Sequence, residues 1–133
     1  MGTVMSGKLL DTTVLIDLSR GNQIAADYVD NESKAGTPLS ISMVSAMELV
    51  AGCRNNNEIA KAQKLLAKYS RIPLSPLISQ RAFDLIVAYT KSHGLQIPDA
   101  LIAATALVEA LELMSDNDRH FRMIPNLTVS RPY

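Results

Sequence analysis

Only one cysteine, Cys53, occurs in the 133 residues. An intramolecular disulfide framework is therefore excluded, and the chain suits a reducing compartment. On its predicted helix Cys53 reads as a small buried apolar residue rather than a reactive thiol. Tryptophan is absent, and two phenylalanines and four tyrosines are the only other aromatic rings. Few side chains are thus available to stack on bases. Charge of one sign is missing too: 13 basic residues balance 13 acidic ones. Nucleic-acid binders usually carry a basic excess, although a few clustered arginines leave a footprint that a net count hides. The most apolar run, Ala100 to Met114, is broken by Glu109 and Glu112 and is too short to span a bilayer. The opening MGTVMSGK lacks the apolar stretch of an export signal, and Ser6 fits a myristoylation pattern only loosely. A cytoplasmic location without membrane association is expected. His93 and His120 stand apart with no cysteine partner, so a zinc site is not expected.

What is present is an ordinary globular composition, 47% apolar and 20% charged. The length predicts one domain over residues 1–133. Short apolar runs alternate with helical patterns. Strands are expected at Val4–Leu10, Leu39–Ser42, Ile72–Leu74, Leu113–Ser115 and Thr128–Ser130. Helices are expected at Val14–Leu18, Gln23–Val29, Met43–Arg54, Glu58–Tyr69, Ser79–His93 and Ala100–Leu111. Ile24, Ala25 and Tyr28 are expected inward on the second helix; Val44, Met47, Leu49 and Ala51 supply the stripe of the third. Asn31 to Pro38 reads as a polar loop, and Asn55–Asn57 as a break between paired helices. Ser75-Pro76 is a helix start and Gly94 a helix stop. Strands alternating with helices imply an α/β fold, a mostly parallel sheet of four or five strands flanked by helices in three layers.

Four acids punctuate this pattern: Asp11 in LLDTTVLID, Glu48 in SAMELVAG, Asp99 in IPDALIAATAL, and Asp116 or its neighbour Asp118 in LMSDNDRHF. Asp11 and Asp116 follow strands directly, where ligands of open α/β sheets bind. A carboxylate beside a buried strand end is costly unless it is paired or binds a cation. Each acid alone has a plainer reading: Asp11 and Asp99 as helix caps, Glu48 as a solvated position, Asp116, Asn117 and Asp118 as turn residues. Together they make an oxygen-only donor set of the kind Mg²⁺ or Mn²⁺ takes. Phosphodiester hydrolysis uses such a set, with Asp11 and Asp99 as principal ligands and Glu48 binding the metal or orienting the water.

These four neighbourhoods, in order from Lys8 to about Leu127, resemble the PIN domain, specifically the VapC-type toxins of toxin–antitoxin pairs. The resemblance implies a three-layer PIN-like fold and a Mg²⁺- or Mn²⁺-dependent endoribonuclease acting on tRNA, rRNA or mRNA. It implies a homodimer and a cognate VapB-type antitoxin whose C-terminal segment enters the active-site groove. DNA would be met only through that antitoxin. Asp11, Glu48 and Asp99 match the family's acids, and the fourth position falls on Asp116, Asn117 or Asp118, with Asp116 favoured. By matching position Thr13 supports the first ligand and Ser45 bonds nearby. Arg54 and Arg119 are candidate phosphate contacts.

Two rivals are weaker. A phosphatase with an aspartyl nucleophile wants a second aspartate two residues on, where this chain has Thr13. A non-catalytic RNA-binding or protein-interaction module retaining the fold is the alternative, but three intact acids argue against lost cleavage. Neither the RNA cut nor the number of metals is legible.

Overall fold

The structure is a computed structural model and describes residues 7–133. Residues 4–6 of the expected first strand, and the opening segment weighed for export and lipidation signals, lie outside the described residues. Strands are β1 (Lys8–Leu10), β2 (Leu39–Ser42), β3 (Ser70–Ile72), β4 (Glu112–Met114) and β5 (Val129–Ser130). Helices are α1 (Thr12–Ser19), α2 (Gln23–Lys34), α3 (Met43–Ala51), α4 (Asn56–Leu66), α5 (Pro76–His93) and α6 (Ile97–Val108). The strands form one sheet in the order β3-β2-β1-β4-β5, and every pairing is parallel. Strand order reverses between β1 and β4, which opens a crevice beyond their carboxyl ends.

Alternation along β1 sends its side chains to opposite layers. Leu9 joins a core with Ile78, Ala82, Leu85, Leu113, Phe121 and buried residues of α6. Leu10 joins another with Val14, Leu15, Val29, Ile41, Leu49, Leu66 and Met114. This is the three-layer α/β arrangement expected, with α5 and α6 on one face and α1 to α4 on the other. The apolar α6 is sandwiched as expected, with Ile102 to Ala106 all buried.

The α5 boundaries follow the cap signals. Ser75 Oγ accepts from Ile78 N at 3.1 Å, Pro76 opens the helix, and Gly94 closes it at φ +67°. Elsewhere the structure corrects the reading. The segment 31–34, expected in a loop, continues α2, because Glu32 is tied to Lys8 at 2.8 Å; the stop comes at Gly36, φ +82°. Ile24, expected inward, is 64% exposed. Met47 and Ala51, expected in the α3 stripe, face solvent, while Ser45 is fully buried in their stead. A polar contact described below sets that rotation. Asn55 caps α4 by accepting from Glu58 N at 2.9 Å, so Asn56 and Asn57 lie inside the helix instead of breaking it. β3 begins two residues before the expected start.

Phe121 is 1% exposed and anchors the loop after β4 into the α5–α6 core. Phe121→Ala is expected to destabilise the fold by about 3–5 kcal/mol. Urea unfolding should show the midpoint fall with an unchanged slope.

Candidate active site

Leu10 is in register with Met114 on the neighbouring strand. The next residues, Asp11 and Ser115, therefore step off β1 and β4 at the same level, and Asp11 N donates to Met114 O at 3.0 Å. Asp11 occupies the N-cap position of α1, yet its side chain makes no capping hydrogen bond. Its carboxylate turns into the crevice instead. It is 4% exposed and accepts from Ser115 Oγ at 2.6 Å. Thr13 Oγ1 lies 3.4 Å from the same oxygen, a weak form of the support expected of it. Ser115 Oγ also accepts from Asn117 N at 3.0 Å, so one hydroxyl organises both the acid and the turn beyond β4.

A second hydroxyl chain holds Glu48. Thr12 Oγ1 is 2.7 Å from Glu48 Oε1 and 3.0 Å from Ser45 Oγ. Ser45, Thr12 and Ser115 are all buried. The demand of Thr12 for partners in this apolar setting explains why α3 buries Ser45 and exposes Met47. Asp99 lies in the first turn of α6, where the helix dipole favours a negative charge. His120 Nδ1 approaches its Oδ2 at 3.7 Å, beyond hydrogen-bond length.

Electrostatics ties the first three acids together. Burial, above all, pushes the Asp11 carboxyl above its ordinary range; the Ser115 hydrogen bond opposes this and the charge of Glu48 adds to it. Burial also raises Asp99, followed by the charge of Asp11; His120 pulls it back and Glu48 raises it further. Among the described residues no lysine or arginine forms an ion pair with Asp11, Glu48 or Asp99. Nor do three acidic, imidazole or thiol groups stand close enough to grip one ion as their side chains lie. The donor set is of the hard-oxygen kind suited to Mg²⁺ or Mn²⁺, and the acids lack neutralising partners. The residues fit a divalent cation, with side-chain rotation needed to close on it.

The fourth acid is arranged differently. Asp116 N lies 3.4 Å from Thr13 Oγ1, but its carboxylate faces Asp17 of α1. Burial raises it first, then the charge of Asp17. Asp118, an alternative for the same role, is committed elsewhere: Arg122 Nη2 is 2.6 Å and Arg131 Nη1 3.9 Å from its oxygens. Asn117 is exposed. Of the expected phosphate contacts, Arg54 is exposed and bound to Glu58 at 2.8 Å. Arg119 is exposed on the 3-10 turn Asp118–His120.

Beside Glu48 a groove of about 850 Å³ runs between α1, α3 and α4. Ile16, Leu49, Cys53 and Leu65 form its floor; Arg20, Arg54 and Lys61 stand on its rim. Sequence reasoning named neither Thr12 nor Ser115 as a residue of the site. A hydroxyl directly after an apolar strand was the available signal for Ser115.

Because its folded-state pKa is raised, Asp11 takes up protons more readily folded than unfolded. Stability of the metal-free protein should therefore fall as pH rises from the ordinary aspartate value of 3.8 through the raised folded value. Asp11→Asn should remove part of that slope and melt higher than the parent at neutral pH in EDTA. Thermal unfolding against pH measures both.

Comparison with known proteins places the chain in a family. The family model described as PIN domain matches residues 8–127. A Mycobacterium tuberculosis protein named Ribonuclease VapC10 is 40% identical over 120 residues, covering 90% of this chain and 89% of its own length. Ribonuclease VapC19 from the same organism is 34% identical over 121 residues, with 90% and 96% covered. Among solved structures, a toxin–antitoxin complex from Klebsiella pneumoniae superposes with a TM-score of 0.75 at 31% identity, over 96% of this chain and 98% of that one. DNA-bound VapBC from Salmonella typhimurium reaches a TM-score of 0.81 at 18% identity, over 97% and 100%, a likeness of fold. With a family match over residues 8–127 and relatives of 40% and 34% identity over nine-tenths of its length, the chain belongs to the PIN-domain family, in its VapC group.

Proposed function

We propose that this chain is the toxin of a toxin–antitoxin pair, a cytoplasmic endoribonuclease that hydrolyses RNA with the help of Mg²⁺ or Mn²⁺. The carrying observation is the trio Asp11, Glu48 and Asp99: the charge of Glu48 acts on Asp11, those of Asp11 and Glu48 act on Asp99, and no lysine or arginine is paired to any of them among the described residues. Relatives named ribonucleases support the nuclease part of the reading. Asp11 and Asp99 would hold the metal. When bound, the cation would lower the pKa of a water and offset charge on the scissile phosphate. Ser115 and Thr13 hold the Asp11 carboxylate toward the crevice. Thr12 fixes the reach of Glu48, which would orient the attacking water and accept its proton. Asp116 would act from beside Asp11. His120, near Asp99 at the crevice mouth, would face the RNA.

The groove beside Glu48 suits the C-terminal segment of a VapB-type antitoxin, with apolar anchors on its floor and acidic groups toward Arg20 and Lys61. Contact with DNA would come through that antitoxin. A homodimer would cover Phe83 and Val87, which are 63% and 68% exposed one helical turn apart on α5.

Purified protein should cleave RNA only with Mg²⁺ or Mn²⁺ present. Asp11→Asn and Asp99→Asn should each lower the rate by about a hundredfold or more. Either cation should raise the melting temperature of the parent but not of the double variant. Undiminished cleavage by both variants would refute the mechanism.

Phe83→Lys should shift the species seen by sedimentation at micromolar concentration from dimer to monomer, with the melting profile of the subunit retained. A parent protein that sediments only as monomer would reject the homodimer.

A further inference from the structure

The segment following β5 is held at separate points. Tyr133 Oη donates to Asp17 Oδ2 at 2.6 Å. Its ring packs edge-on against Tyr28 of α2, with centroids 5.9 Å apart and planes at 66°. Two residues earlier, Arg131 Nη1 lies 3.9 Å from Asp118 Oδ1. The two acids gripped in this way bracket a third. The Asp17 and Asp116 carboxyls are near enough to interact, with the charge of Arg131 opposing the effect of Asp17 on Asp116, and Asp118 lies two residues beyond Asp116.

Two adjoining carboxylates repel, and each swings toward water unless a donor restrains it. Among the described residues neither Asp17 nor Asp116 has a lysine or arginine at ion-pair distance. The Tyr133 hydroxyl is thus the donor that selects the orientation of Asp17. Its ring packs against Tyr28, an independent contact that narrows where the hydroxyl can lie. A phenol-to-carboxylate bond of this length is of the stronger, charge-assisted kind.

We propose that Tyr133 is a positioning residue for Asp116. Its hydroxyl restrains Asp17, and Asp17 sets where the Asp116 carboxylate lies, next to the amide that reaches Thr13 and through it Asp11. Arg131 steadies the same turn from its other end through Asp118. The proposal rests on the nuclease reading for its kinetic consequence and not for its geometry.

Tyr133→Phe keeps the ring and deletes only the donor, so the fold is retained. In the metal-free protein, amide exchange over residues 115–118 should quicken by about fivefold while the sheet is unaffected. In RNA cleavage, kcat should fall by about threefold to tenfold with KM unchanged, the mark of a misplaced group and not of weakened binding. In an Asp17→Ala background, which removes the acceptor of the Tyr133 hydroxyl, the same substitution should have no further effect on either measure. Exchange and kcat both equal to the parent's would overturn the proposal. So would full additivity with Asp17→Ala, which would deny the route through Asp17. Exchange is read without RNA or metal, so failure of the nuclease reading, seen as undiminished cleavage by Asp11→Asn, leaves this test standing.

Discussion

The site is built around one desolvated carboxylate. Asp11 leaves the central strand where strand order reverses, and the helices on either face deny it water. A charge in that setting costs several kcal/mol unless hydrogen bonds or a counter-ion offset it. The chain meets the demand with hydroxyls. Ser115 arrives on the adjacent strand, in register by β1–β4 pairing, and donates at 2.6 Å. Thr12 links Ser45 and Glu48 in the same way. Hydroxyls orient the acids without neutralising them.

That choice shapes the electrostatics. Arginines near the acids would quench their charge. Instead the nearby arginines serve at the margins: Arg122 and Arg131 on Asp118, Arg54 on Glu58. Asp11, Glu48 and Asp99 keep a concentrated negative field, with only His120 beside Asp99. Such a field favours a small hard cation. The adjoining groove is apolar below, and Arg20 and Lys61 line it together with Glu48 and the paired Arg54 and Glu58.

Much of this was legible from local signals. The Ser75-Pro76 start and Gly94 stop of α5 were sound because caps act within a few residues. β2 stands where its short run between turn residues put it. Asp11 and Asp99 were visible because each follows a conspicuous boundary. Errors gathered where a distant contact decided the outcome. Lys8, from β1, tied Glu32 and prolonged α2 past a polar stretch that resembled a loop. Thr12 drew Ser45 inward and turned Met47 out against its hydropathy. The partners of the three consecutive polar residues Asp116, Asn117 and Asp118 were unreadable, since a turn sequence does not say which carboxylate faces which helix.

The amino-acid sequence alone determined the alternation of strands and helices, the parallel α/β class and the acids at element ends. Those depend on periodicity and capping, which are local. Only the tertiary structure decided that Ser115 completes Asp11, that Asp118 belongs to arginines, and that Asp17 and Tyr133 stand behind Asp116. The Asp11–Ser115 and Asp17–Tyr133 pairings join residues more than a hundred positions apart, and strand register with helix packing, not neighbouring residues, selects them.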